Sequence, residues 1–210
     1  MRRIIWAAFF LLAGCATLSK EDCLQGAWGS IGFKDGQNGE PAERVNAHAE
    51  ACQQYGVAPN LADWRSGYNN GLVLYCTRPN GFTEGVRGSA YHNVCTGEAG
   101  AVFLAAYADG KVVRDARAAV EDAIGERDRL RDDLEHTREK RDGARDLANN
   151  ADTPADKREE MRKRAQELSE RIERLRDELR DIERRIPDLQ YQAHAAEGRM
   201  RISYPEWSGL

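Results

Sequence analysis

The chain has 210 residues, 31 Lys and Arg against 35 Asp and Glu, and a formal charge of −4. That balance excludes a nucleic-acid-binding protein, whose affinity rests on Lys and Arg neutralising phosphates. It also excludes attachment to a membrane through a polybasic patch, so attachment must come from lipid.

Arg2 and Arg3, the apolar run from Ile4 to Ala13 and the small residues before Cys15 predict a secretory signal over residues 1–14. The run is about half the ~20 residues a bilayer-spanning helix needs, so it is not a stable transmembrane anchor. Leu12-Ala13-Gly14-Cys15 resembles the lipobox of bacterial lipoproteins. The resemblance implies cleavage before Cys15 and lipidation of that residue; an ordinary secretory signal is the competing reading. Losing Arg2 and Arg3 with the signal takes the formal charge from −4 to −6. Acyl burial gives ~0.8 kcal/mol per CH₂ and stable anchoring takes two or more chains, which a diacylated, N-acylated Cys15 supplies. Ala16 rather than Asp follows Cys15. By resemblance to enterobacterial sorting, this favours the outer membrane; the periplasmic face is the expected side.

Four cysteines remain, Cys23, Cys52, Cys76 and Cys95, all in the first half of the chain. An even count in an exported segment reads as a disulfide framework. No CxxC spacing occurs, so zinc and thioredoxin-like chemistry have no support, and no metal or cofactor is expected. Three pairings are open. Cys23 at the start of one helix and Cys52 near the end of the next favour Cys23–Cys52, with Cys76–Cys95 as the second bridge.

Composition changes near Gly110, from a region rich in Gly, aromatics and Cys to one dominated by Arg, Glu and Asp. The expected fold is all-α: a small disulfide-bonded helical domain over 15–110, a long antiparallel coiled-coil hairpin over 111–186, and a tail over 187–210. In the domain, Ser19-Lys20-Glu21-Asp22 has the form of a capping box with Asp in place of Glu. Pro41 suits the first turn of a second helix with apolar face Ala42, Val45, Ala49 and Cys52, stopped by Gly56. Asn60 caps a third, carrying Leu61, Trp64, Tyr68, Leu72 and Tyr75 at spacings of three and four. Thr77-Arg78-Pro79-Asn80-Gly81 reads as a turn. Thr96 caps a last helix with Val102, Phe103, Ala106 and Tyr107.

A short pattern recurs without a fixed period: Gly32-Phe33-Lys34-Asp35-Gly36, Gly67-Tyr68-Asn69-Asn70-Gly71, Gly81-Phe82-Thr83-Glu84-Gly85, and more loosely Ala106-Tyr107-Ala108-Asp109-Gly110. Glycines four apart on a helix bare its backbone to a neighbour, which must offset ~1 kcal/mol per glycine against alanine. Close helix packing is the plainer reading. The sharper one is a ligand or glycan groove lined by Trp28, Trp64, Tyr68 and Tyr91.

Cys23 with Trp28-x-x-x-Gly32-x-x-Asp35-Gly36, then His48-x-x-x-Cys52, then Tyr68-x-x-Gly71-Leu72-x-x-Tyr75-Cys76 resembles the proteobacterial lipoproteins grouped as domain-of-unknown-function family 2799. The likeness spans about Cys15 to Gly110. It implies an exported, lipid-anchored, cysteine-containing domain and brings no catalytic residues.

Met161, Ala165, Leu168, Ile172, Leu175, Leu179, Ile182, Ile186 and Leu189 alternate spacings of four and three, a heptad seam. Glu160/Arg164, Glu167/Arg171, Glu170/Arg174 and Asp181/Arg185 are placed for i,i+4 pairs, each worth only ~0.2–0.5 kcal/mol. Upstream, Val113, Ala116, Val120, Ala123, Leu130 and Leu134 follow the same alternation, with Arg127, Thr137 and Arg141 as interruptions. Asn149 to Pro154 supplies a stop, an N-cap at Thr153 and a proline at the first helical position. Two antiparallel arms of about 50 Å follow, at 1.5 Å per residue. Pro187 should end the second arm, leaving Tyr204-Pro205-Glu206-Trp207 free to pack back or bind.

His48, His92, His136 and His194 show no metal-ligand spacing, no Gly-x-Ser-x-Gly elbow is present, and Asp35 to Glu40 lacks the order of a calcium loop. The expectation is a non-enzymatic envelope lipoprotein, bound to the membrane through Cys15 and to a protein partner through 111–186, with a solvated helical spacer and self-association as the other readings of that extension. A small-ligand or glycan module in the N-terminal domain is the alternative.

Overall fold

The computed structural model describes residues 17–207, so the signal and Cys15 lie outside the described residues. Among the described residues seven helices follow in order: α1 (Lys20–Gln25), α2 (Trp28–Gln37), α3 (Arg44–Gln53), α4 (Leu61–Tyr75), α5 (Arg78–Arg87), α6 (Gly97–Asn149) and α7 (Ala155–Ser203). Residues 17–84 with 89–108 form one compact unit, and 85–88 with 109–207 form the other.

In the first unit, Ser19 and Asp22 make the expected reciprocal capping box. Gly26, in the left-handed region at φ 64°, ends α1 after six residues. The chain restarts at Trp28, giving the separate helix α2 that the sequence reading did not delimit. Pro41 precedes α3 in a turn. The buried face of α3 centres on His48 and Cys52, with Val45 packed beside them, while Ala42 is exposed. Asn60 caps α4, its side-chain oxygen accepting from the Ala62 and Asp63 amides. The expected turn at Thr77–Gly81 is instead the start of α5. Pro79 is tolerated there because the first turn has no intrahelical use for its missing N–H. Thr77 Oγ1 accepts from the Asn80 amide at 3.4 Å.

Disulfides join Cys23 to Cys52 and Cys76 to Cys95. The first sits in a core with Trp28, Trp64 and Tyr68. The second adjoins another core built on Tyr75, Cys95 and Phe103, with Tyr91 and Tyr107 packed against it.

α2 and α4 cross with backbones nearly touching. A Cβ at Gly32 would lie 2.0 Å from the Trp64 carbonyl oxygen, and one at Gly36 2.1 Å from that of Tyr68. Reciprocally, a Cβ at Gly67 would lie 1.8 Å from the Gly29 carbonyl oxygen, and one at Gly71 2.2 Å from that of Phe33. The first two copies of the glycine pattern thus pack on each other. Gly81 of the third meets the Phe103 backbone in the same way, at 2.5 Å.

The second unit is the antiparallel hairpin. Ala165, Leu168, Ile172, Leu175, Ile182 and Ile186 are buried, and Met161, Leu179 and Leu189 are half-buried. α7 does not end at Pro187. Its seam runs on through Ala193, Ala196 and Met200 in the same four-three rhythm. Pro187 is exposed and so is Glu183, whose carbonyl loses its intrahelical donor. Water can serve that group while packing on both sides of the break holds the helix. At 49 residues, α7 reaches about 74 Å rather than about 50 Å.

The opposing seam on α6 is continuous where interruptions were expected. Thr137 is 5 % exposed, and Ala144 and Ala148 extend the rhythm to the turn. Arg127 and Arg141 lay their stems along the seam and turn their guanidinium groups to Asp128 and Asp142, an arrangement suited to a long amphipathic side chain. α6 passes Gly110 without a break, so the expected boundary at 110/111 is not a helix end. At the turn the cap of α7 is Pro154, one residue later than expected. Asn150 Oδ1 accepts from the Asp152 amide at 2.9 Å.

Across the hairpin, Arg117 meets Glu197 at 2.7 Å and Arg131 meets Glu183 at 2.6 Å on one flank, while Arg171 approaches Asp133 at 3.9 Å on the other. Within α7 the pairs form at i,i+3, including Lys157–Glu160, Glu159–Arg162, Arg164–Glu167 and Asp181–Arg184, instead of the expected i,i+4. The tail packs back on α6: Tyr204 donates to Asp109 at 2.7 Å, and Trp207 lies 5.5 Å from the Arg117 guanidinium.

Candidate functional site

The polar groups buried in the first unit converge on one carboxylate. α2 carries Asp35, 8 % exposed, on the face that also presents Gly32 and Gly36 to α4. The glycine crossing brings α4 close enough for Trp64 Nε1–H to donate to Asp35 Oδ2 at 2.8 Å. From α3, His48 Nε2 lies 2.9 Å from the same oxygen. His48 Nδ1 lies 2.8 Å from Thr17 Oγ1, in the segment before α1. With its proton on Nε2, His48 donates to Asp35 and accepts from the Thr17 hydroxyl, so every member of the chain is satisfied.

The order hydroxyl–imidazole–carboxylate is the one used in nucleophilic catalysis, but the setting differs. Here the His48 ring is 2 % exposed, with Nδ1 against Thr17 and Nε2 against Asp35. What the arrangement does is fasten Thr17 to the core. A buried network with all partners in place fixes one geometry, because breaking any link strands a polar group in low dielectric.

Beside this network opens a cleft of about 430 Å³, lined among others by Thr17, Lys34, Asp35, Glu40, Arg44 and His48. Asp22 stands at its edge, its carboxyl held below the usual range by the side-chain and backbone hydrogen bonds from Ser19. Arg44 Nη1 reaches Glu40 only at 3.8 Å, and its buried Nε has no hydrogen-bond partner. Burial, then the charges of Glu43, Asp35 and Glu40, push the Tyr68 phenol up to about 12; its hydroxyl donates to the Glu40 carbonyl at 2.7 Å.

Trp28, Trp64, Tyr68 and Tyr91 do not line one groove. The first three are core side chains no more than 5 % exposed, and Tyr91 belongs to the other cluster, 4.8 Å from Phe103. His136 lies at an exposed contact with Glu139, and His92 and His194 are exposed. His48 alone is drawn into a network. Its sequence signal was the spacing of four to Cys52, which places both on the inner face of α3; the partner Asp35 carries no local mark of pairing. Among the described residues no group of three or more His, Cys, Asp or Glu side chains could hold a metal ion. Among them, too, no helix is long and apolar enough to cross a membrane. Cys15 lies outside the described residues.

Residues 27–112 match the family model described as "Protein of unknown function (DUF2799)". The match takes in Asp35, His48, Trp64 and the glycine crossing, and leaves out Thr17, Cys23 and most of the hairpin. Neither the curated proteins nor the solved structures contain a significant match to the chain.

Proposed function

Starting from a chain that carries a DUF2799 domain over residues 27–112, we propose a non-enzymatic lipoprotein, held by Cys15 on the periplasmic face of the outer membrane, whose hairpin docks an envelope protein. The lipobox residues and the two disulfides support the compartment. The observation that carries the docking role is an apolar spot on an otherwise charged arm. Tyr191 is 76 % and Ile202 85 % exposed. With Ala195 and Gly198 they recur at helical spacing on the side of α7 away from its seam. A mere spacer has no use for them, whereas an aromatic and an aliphatic anchor rimmed by charge suit a protein partner. Self-association through an uncovered seam loses support, because the seams of α6 and α7 are packed within one chain.

Cross-linked envelopes from cells carrying the full chain should yield a partner band that disappears with the double variant Tyr191→Ala/Ile202→Ala. A band unchanged in that variant would overturn the docking face. Labelling with a palmitate analogue should mark the wild type and spare Cys15→Ser; equal labelling would overturn the anchor.

A further inference from the structure

We propose that the cleft beside Thr17 receives a headgroup of the bilayer that holds Cys15, a zwitterion pairing a phosphodiester with a primary ammonium. This deepens the lipoprotein reading and rests on it.

Chain length sets the geometry. Thr17 is fastened to the core through His48 and Asp35. Only Ala16 separates it from Cys15, so two steps of chain give a reach of about 7 Å at most. The polar layer of one leaflet is roughly 5–8 Å deep. The cleft that Thr17 lines is therefore kept within reach of the headgroups rather than held off on a flexible linker.

Charge selects the headgroup. The cleft carries two cations, Lys34 and Arg44, and three carboxylates, Asp22, Asp35 and Glu40. An excess of one negative charge disfavours a purely anionic lipid. Two of the carboxylates are already engaged, Asp22 with Ser19 and Asp35 with Trp64 and His48. Glu40, whose carboxylate has among the described residues only the 3.8 Å contact with Arg44 Nη1, is the acceptor for an ammonium. Arg44, whose side chain is 37 % exposed, and exposed Lys34 can donate to a phosphate oxygen. A guanidinium and an ammonium make strong charge-assisted hydrogen bonds to phosphate. A primary ammonium can hydrogen-bond Glu40, and a quaternary one cannot.

The test uses mature, lipidated protein in nanodiscs containing phosphatidylethanolamine, with nanodiscs of phosphatidylcholine alone and of phosphatidylglycerol as comparisons. Trace acylation of Lys34 is read by mass spectrometry and normalised to Lys163 on the hairpin. In ethanolamine nanodiscs Lys34 should react roughly fivefold more slowly than in soluble Cys15→Ser protein, as engagement in a charge-assisted hydrogen bond requires. Thr17→Val, which removes one hydroxyl and leaves Cys15 acylated, should restore the reactivity. Lys34 as reactive in lipidated as in soluble protein would overturn the proposal while leaving the anchor standing. Absence of lipid on Cys15 would instead overturn the reading beneath it. Equal protection in phosphatidylcholine would overturn the assignment of a primary ammonium to Glu40.

Discussion

The two units bury different side chains by different means. In the hairpin, large aliphatic residues from two long helices interdigitate, and Gly125, Gly143 and Gly198 on its arms meet open space. In the N-terminal domain, glycines are the contact itself: α2 and α4 approach until backbone meets backbone, and aromatic rings fill the space around the crossing. The hairpin can absorb a substitution by a small shift of a side chain. The domain cannot, because a carbonyl oxygen is not free to move. Two disulfides also restrict its unfolded chain.

The largest expected contrast comes from reduction. Each bridge closes a loop, of 29 residues for Cys23–Cys52 and 19 for Cys76–Cys95, contributing about 3 kcal/mol in the chain-entropy model. Reductant should melt the domain while far-UV circular dichroism retains the hairpin helices; loss of all helicity in one step would break the comparison.

Glycine substitution comes next and should change sign between the units. Gly67→Ala puts a methyl 1.8 Å from the Gly29 carbonyl oxygen, so the helices must separate, at a cost of about 3 kcal/mol. Gly125→Ala on α6 meets nothing within 4 Å and should stabilise by about 0.5–1 kcal/mol through helix propensity. Thermal melts of the two variants decide this, and a stabilised Gly67→Ala would refute the close crossing.

Alkaline pH should find the domain first. Burial pushes both Tyr68 and Tyr75 up to about 12, while the unfolded chain releases these protons near pH ~10. Between those values the unfolded state binds fewer protons, so stability is intact below about pH 10 and falls as pH rises through about 12. Tyr68→Phe should cost about 1 kcal/mol at neutral pH, by removing the donor to the Glu40 carbonyl, and should flatten the alkaline loss. Denaturant midpoints from pH 8 to 12 give both numbers; an unchanged slope would show that Tyr68 does not titrate with unfolding.

The smallest effect belongs to the hairpin flank. Arg131→Gln breaks an ion pair with Glu183 whose partners are 54 % and 40 % exposed, and should cost no more than about 0.5 kcal/mol.

The features legible in the sequence were those governed by neighbours along the chain. Ser19, Asn60 and the turn after Asn149 mark helix ends because capping acts over three or four residues. The α7 seam from Met161 to Leu189 shows because heptad spacing is local arithmetic. The Cys23–Cys52 bridge follows from helix order, although α1 and α2 are two helices rather than one, and Cys76–Cys95 is the pair that remains. What only the tertiary structure decided depends on an opposing element. Thr137, Arg127 and Arg141 read as breaks in the α6 seam until α7 supplies apolar surface for an arginine stem and a small gap for a threonine. Pro187 reads as a stop until packing on either side of it outweighs the lost hydrogen bond. Asp35 and His48, thirteen residues apart on different helices, become partners because the glycines of α2 and α4 let Trp64 reach the same carboxylate. Spacing along a helix is written in the chain, but the desolvation that forces buried polar groups to find each other exists only once the helices have packed.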